Sequence, residues 1–182
     1  CQGKQMSSML RLAALAAALA APAAHAHIVA EPNEGPAGSY FRTAFRVSHG
    51  CGVAATVALT VTLPPGTLAV KPQAKPGWTI TITRRPVDPP VAGGHGSSIT
   101  ETVDTVTWRG GPLPHEHFDE FGLSLKLPEA PDGTVLWFPA VQQCETGETR
   151  WVEIPAEGQR WGDLKSPAPF VRLRAVPAGH RH

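Results

Sequence analysis

The stretch VAATVALTVTL, Val53 to Leu63, decides the fold class of this chain. Its larger apolar residues recur at every second position: Val57, Leu59, Val61 and Leu63. Small or hydroxyl-bearing residues fill the positions between them. Because successive side chains of a strand point to opposite faces, this period of two predicts a β-strand with one buried face.

Alternation of the same kind continues along the chain. Short runs show it: WTITITR (78–84), TVDTVTW (102–108), FGLSLKL (121–127), VLWFPAVQQC (135–144), RWVEIP (150–155) and FVRLRAV (170–176). Proline and glycine lie between the runs, as in Lys75-Pro76-Gly77 and Pro131-Asp132-Gly133. No segment after residue 27 has convincing helical periodicity. The pattern predicts an all-β, single-domain, antiparallel β-sandwich.

One interval interrupts this pattern. The stretch RPVDPPVAGGHGSS, residues 85–98, is rich in proline and glycine and is polar. Such a composition predicts a long mobile hairpin loop between two strands. His95 within it is expected to be a solvated loop residue.

The first 26 residues have the features of an export signal. Lys4 and Arg11 precede or begin an apolar run that continues to residue 21, and Ala24-His25-Ala26 supplies the small residues that signal peptidase requires. The apolar run is about half the ~20 residues of a membrane-spanning helix. We therefore expect cleavage after Ala26 and a periplasmic or secreted protein with no membrane anchor in the mature chain. Residues ahead of Met6 or Met9 resemble an over-long start.

This cleavage divides the chain into a signal peptide, a sandwich domain over residues 27–176 and a flexible tail over residues 177–182. A cut after Ala24 is the alternative. It would place His27 third from a free amine, an arrangement that makes a four-nitrogen site for Cu(II) or Ni(II).

Charge excludes one class of partner. The whole chain has a formal net charge of +1, and removal of the leader leaves 14 Lys and Arg against 15 Asp and Glu. No basic cluster with interleaved aromatic residues is present. A nucleic-acid partner is therefore not expected.

Two cysteines, Cys51 and Cys144, follow the leader. In an oxidising compartment an isolated pair most often forms a disulfide, which we expect here. The alternative is a Cu(I) site of the two thiolates, with His49 two residues before Cys51.

His27 becomes chemically distinctive if the chain is cut after Ala26. Its α-amine and imidazole Nδ1 can then close a six-membered chelate on one metal ion. Two neutral nitrogens in one plane suit Cu(II), which favours tetragonal nitrogen sites. The amine has a pKa of about 7.7–8.0 and the imidazole about 6.5, so both lose their protons easily near neutral pH.

The motifs of the mature chain resemble the YcnI-type copper-binding family of exported bacterial proteins. The similar segments are HIVAEPNEGPAGSY from His27, FRVSHGCG, WRGGPLPHEHFDEFGLSLKLP and LWFPAVQQCETGETRWVEIP, and the resemblance extends to Leu173. It implies an immunoglobulin-like or cupredoxin-like sandwich with a role in copper handling. It also implies a single-histidine brace for Cu(II) formed by His27 and Glu34, with Trp151 beside the metal.

Other histidines offer competing sites. His115 and His117 flank Glu116 and would share one face of a strand about 7 Å apart, a possible secondary metal site, although nearby prolines favour a solvated turn. His180 and His182 lie in the tail.

Three functions remain open from the sequence. We expect an extracytoplasmic Cu(II) chaperone or buffer, with another periplasmic copper protein as its partner. The alternatives are a metal-independent protein-binding sandwich and, less favoured, a copper monooxygenase with His49 as its second histidine. No hydrolase elbow, zinc-protease motif or phosphate loop is present, so we expect no enzyme.

Overall fold

The structure is a computed structural model that describes residues 27–176. The expected leader, both of its cleavage points and the tail with His180 and His182 lie outside the described residues. Within residues 27–176, no helix is long and apolar enough to cross a membrane.

The described residues form twelve strands and two short 3-10 helices, without an α-helix among them. The strands are β1 (Val29–Glu31), β2 (Glu34–Pro36), β3 (Tyr40–Val47), β4 (Thr56–Thr62), β5 (Leu68–Pro72), β6 (Trp78–Ala92), β7 (Ser98–Leu113), β8 (Asp119–Lys126), β9 (Val135–Trp137), β10 (Ala140–Cys144), β11 (Glu148–Trp151) and β12 (Phe170–Arg174). The 3-10 helices cover Gly94–Gly96 and Trp161–Asp163.

Three sheets enclose one core. A four-stranded sheet has the order β1-β3-β8-β5, and a five-stranded sheet has the order β11-β10-β4-β7-β6. A small third sheet, β2-β12-β9, contains a parallel pair, β2 with β12. All other strand pairs are antiparallel. The predicted all-β antiparallel sandwich is therefore confirmed, with one parallel pair added.

The alternation describes the burial of β4 correctly from Leu59 onward but not at Val57, which is half-buried while Ala58 is buried, because the pairing with β7 shifts register between Thr56 and Ala58. Leu59, Val61 and Leu63 are almost completely buried. Between the two large sheets, the ring of Trp108 meets that of Phe121 edge to face at 5.6 Å. Each such buried side chain stabilises the fold by about 1.5–3 kcal/mol through the water it no longer orders.

The predicted long loop at residues 85–98 is wrong. Strand β6 continues to Ala92 and pairs with β7, so only residues 93–97 form the turn. The prolines of this segment are tolerated because β6 is the edge strand of its sheet, where a missing N–H breaks no interior ladder. His95 is exposed at the tip, as expected.

Two further boundaries differ from the sequence patterns. The run over residues 135–144 is divided into β9 and β10 around Pro139, since proline has no N–H to continue the ladder. The opening segment holds β3, which the alternation analysis did not include. Phe45 and Val47 on that strand are nonetheless completely buried.

The predicted disulfide joins Cys51 to Cys144, with the two Cα atoms 6.0 Å apart across 93 residues of sequence. It ties the segment before β4 to the end of β10, the strand that pairs with β4. Both sulfurs are therefore unavailable as thiolates, which removes the Cu(I) alternative for the oxidised protein.

Candidate metal centre

His27 lies at the start of the described chain and is positioned by the residues that follow it. Ile28 and Ala30 are buried in the core, and Val29 pairs with Arg46 of β3. This anchored strand places the His27 ring against two indoles. The ring centroid lies 5.9 Å from that of Trp151 and 4.9 Å from that of Trp161, both edge to face.

The Nε2 atom of His27 is buried. The predicted brace would use the other ring nitrogen, Nδ1. That is the nitrogen that an amine-plus-imidazole chelate uses, since only Nδ1 closes a six-membered ring with the α-amine. A buried Nε2 is compatible with that brace, which stays a prediction.

Trp151 ends β11 and is 4% exposed. Its Nε1–H donates to Oε1 of Gln142 at 3.0 Å, so the indole N–H is already committed within the protein. Trp151 therefore forms an apolar wall beside His27, and its N–H is not available to hydrogen-bond to another group there. Trp151 is both a core aromatic and a neighbour of the candidate site.

Gln142 of β10 holds this wall in place. The side chain is completely buried, and its Nε2 donates to the carbonyl of His49 at 2.7 Å and to Oγ1 of Thr56 at 2.8 Å. With the Trp151 N–H it makes three buried hydrogen bonds, so its polar atoms are satisfied. The sequence analysis missed this residue, although a glutamine at an inward position of an alternating strand is a usable signal.

His49 is the second histidine near Trp151, at 6.0 Å between ring centroids. Its Nδ1 lies 2.6 Å from the carbonyl oxygen of Gly50. A carbonyl only accepts, so Nδ1 carries the proton and the lone pair of the neutral ring is on Nε2. The imidazole rings of His27 and His49 both contact the indole of Trp151.

Trp161 is the second wall and was not expected from the sequence. It begins the short 3-10 helix and donates its Nε1–H to the carbonyl of Ala168 at 2.7 Å. Its ring also meets Phe170 at 5.8 Å, which connects the site to the start of β12. No periodic pattern marks Trp161, because it lies in an irregular segment between strands.

Glu34, the predicted carboxylate ligand, is directed elsewhere. It is exposed, and its carboxylate accepts a short hydrogen bond from Arg174. That guanidinium lowers the pKa of Glu34 below its ordinary value. Arg174 ends β12, roughly 13 Å beyond Phe170 at ~3.3 Å per residue. The structure brings Trp151 to His27 but turns the Glu34 side chain toward the opposite end of β12.

The His115–His117 segment forms a turn, with the N–H of His117 donating to the carbonyl of Pro114. His117 lines a cavity of about 330 Å³ with Arg46, Ser48 and Phe118. Across residues 27–176, no three or more His, Cys, Asp or Glu side chains converge in a way that could hold a metal ion.

Comparison with known proteins agrees with the fold and with the predicted family. A crystal structure of an uncharacterized protein from Nocardia farcinica, described as having an immunoglobulin-like fold, superposes with a TM-score of 0.62 at 28% identity. The match covers 81% of this chain and 98% of that one. No curated protein is significantly similar to the chain. The model of the domain of unknown function DUF1775, the family of the YcnI-type proteins, matches residues 27–173, and the chain belongs to that family.

Proposed function

We propose that this protein binds Cu(II) outside the cytoplasm through the α-amine and imidazole of a mature N-terminal His27, and that it carries or buffers copper. The observation that supports this most is the position of the His27 ring against Trp151 and Trp161 with Nε2 buried. Nδ1 is the ring nitrogen that would bind the metal, and the α-amine would lie beside it once the leader is removed.

The two indoles suit a copper carrier. They form apolar walls that limit water around the imidazole, and both indole N–H groups are bonded to protein oxygens. Neither indole N–H therefore competes with copper for the lone pair of the imidazole. A site with few protein ligands can pass its ion to a recipient with more, which fits transfer to another periplasmic copper protein.

The third predicted ligand, the carboxylate of Glu34, requires a rearrangement. Its carboxylate must leave Arg174 before it can reach copper at His27. Because both side chains are exposed, solvent screens this ion pair, and copper binding can displace it. Glu34 stays a predicted ligand on that basis.

His49 supports the second candidate, a copper monooxygenase. Such an enzyme needs another histidine nitrogen to complete a three-nitrogen site, and His49 contacts the same Trp151 as His27. The backbone around His49 is tied to Gln142 and to the disulfide, which restrains its movement toward His27. Carriage is therefore the favoured function.

The test begins with the intact mass of the exported protein, followed by Cu(II) titration monitored by EPR. We expect a mature start at His27 and one Cu(II) with nitrogen and oxygen ligands. His27→Ala, or one additional alanine ahead of His27, should each abolish tight binding. His95→Ala is the matched control, because His95 is exposed at a hairpin tip.

Tight stoichiometric binding that survives both changes would contradict the brace. No stoichiometric copper in the wild type would favour the metal-independent protein-binding sandwich. Oxygen consumption with a reductant and a substrate, lost in His49→Ala, would favour the monooxygenase. A carrier should bind copper without that turnover.

A further inference from the structure

A second candidate site lies on the outer face of the four-stranded sheet. There a cavity of about 560 Å³ crosses β3 and β8 and is bounded by the segment after β1 and by the end of β5. None of the histidines or tryptophans of the candidate metal centre lines it. Its volume is within the ~300–1,000 Å³ of small-ligand sites in proteins. We call it the β3–β8 groove.

Two small residues form the floor of the groove. Ala44 of β3 and Gly122 of β8 are directly opposite each other, and both belong to the outward-facing set of their strands. A Cβ on Gly122 would lie 2.3 Å from Oε1 of Gln73, so glycine is needed where this side chain crosses the strand. Gln73 also donates its backbone N–H to the carbonyl of Gly122 at 2.8 Å. A side-chain amide therefore lies directly on the floor.

One end of the groove is positive. Arg42 of β3 is in register with Ser124 of β8, which is in register with Lys71 of β5, so the three residues form one row across the sheet. Arg42 and Lys71 are exposed and line the groove. Among the ion pairs of residues 27–176, neither residue has a carboxylate partner.

The other end has an available negative charge. Glu31 pairs with Arg46 at 3.1 Å and Asp119 pairs with Lys75 at 2.6 Å. Glu120, which is in register with Arg46 and whose backbone carbonyl accepts a hydrogen bond from Lys75, also lines the groove. Its carboxylate is in none of the ion pairs found in residues 27–176. Glu120 is four positions from Ser124 on the same strand, roughly 13 Å at ~3.4 Å per residue.

We infer that the β3–β8 groove binds a short peptide with free termini. Arg42 and Lys71 receive its C-terminal carboxylate, and Glu120 receives its N-terminal ammonium. Three or four extended residues span roughly 10–13 Å, which matches the separation of the charged ends. The amide of Gln73 and the hydroxyl of Ser124 offer donors and acceptors to the peptide backbone between them.

The test uses tetraalanine, because its side chains are uncharged and only its backbone and termini can be recognised. Amide resonances of the isotope-labelled protein are followed by NMR during the titration. EDTA is present throughout, since a free peptide amine binds copper. We expect saturable shifts at Ala44, Gly122 and their neighbours, with a Kd of about 1 mM or tighter. N-acetylated, C-amidated tetraalanine should produce no such shifts.

Charge variants identify the two ends. Arg42→Gln with Lys71→Gln should weaken tetraalanine binding about tenfold or more. The control removes two positive charges elsewhere, Arg84→Gln with Lys165→Gln, and should leave the affinity unchanged. All four residues are exposed, so the variants should fold, and their amide spectra report this directly.

Glu120→Gln tests the ammonium end. It should weaken binding of free tetraalanine but have no effect on the residual affinity for tetraalanine that is acetylated only at its N-terminus. The proposal is overturned if tetraalanine causes no saturable shift, if the doubly capped peptide binds equally well, or if the control variant loses as much affinity as the groove variant.

Discussion

Two histidine-containing regions of this protein differ in a way that the sequence does not suggest. The His115–His117 turn has two histidines and a glutamate in three consecutive positions, yet the described structure holds no metal-binding convergence of side chains there. His27 is isolated in the sequence but is enclosed by Trp151 and Trp161. The number of potential ligands in a short stretch of sequence therefore does not predict which histidine is enclosed by aromatic rings. That enclosure depends on residues more than a hundred positions away.

The largest effect on the enclosed region should come from the disulfide. Replacing Cys51 and Cys144 by alanine removes a link across 93 residues and should lower the free energy of unfolding by about 4 kcal/mol in the chain-entropy model. Urea unfolding of the double variant against wild type measures this. The single variants should lose as much, since either one opens the same link. A loss below about 1 kcal/mol would contradict a purely chain-entropy role.

Gln142 should show the next largest effect. Gln142→Leu keeps the volume but leaves the Trp151 N–H and the Thr56 hydroxyl in the core without their partner, at a cost of about 3 kcal/mol. Gln143→Leu is the matched control at the next position, where the side chain accepts only an exposed bond from Arg109. It should change stability by less than ~1 kcal/mol. If urea unfolding gave the same loss of unfolding free energy for both variants, the buried hydrogen bonds of Gln142 would not contribute to stability.

The His115–His117 turn should tolerate substitution, since His117 is exposed and His115 is half-buried. His115→Ala with His117→Ala should alter the free energy of unfolding by no more than ~0.5 kcal/mol, as is usual for surface positions. Copper stoichiometry should stay at that of the wild type, whereas His27→Ala abolishes it. A second copper ion that is lost only in the His115/His117 variant would support a secondary metal site there. It would contradict the difference drawn between the two histidine-containing regions.

The smallest effect concerns Glu34. The lowered pKa of this carboxyl means that its bond to Arg174 stabilises the fold above the ordinary value of 4.5 and is lost as the pH falls through the lowered pKa. Glu34→Gln removes this contribution. The stability difference between wild type and variant should therefore be constant near neutral pH and disappear below the lowered pKa. Unfolding measured from neutral to acidic pH tests it.

The same variant sharpens the copper proposal. If Glu34 is a ligand, Glu34→Gln weakens Cu(II) binding, and Arg174→Met strengthens it by releasing the carboxylate. If Glu34 only pairs with Arg174, neither change alters the Cu(II) affinity. EPR titration of both variants distinguishes these outcomes.

The alternation rule predicted most of the strands but failed at two kinds of position. It correctly gave the buried face of β4 from Leu59 onward, because Leu59 and Val61 alternate with hydroxyl-bearing residues. It failed at residues 85–98, since proline and glycine indicate a loop unless the strand is at an edge, and edge position is a property of the whole sheet. It also could not show that β2 and β12 are parallel neighbours.

The amino-acid sequence by itself determined the all-β class, the cysteine pair that forms the disulfide, the family, and the chemistry available to His27. These follow from local periodicity, residue type and motif order. Only the tertiary structure decided that Trp161 and Gln142 belong to the candidate site and that Glu34 faces Arg174. The reason is physical: strand pairing and core packing bring distant residues together, and no local pattern encodes which distant side chain becomes a neighbour.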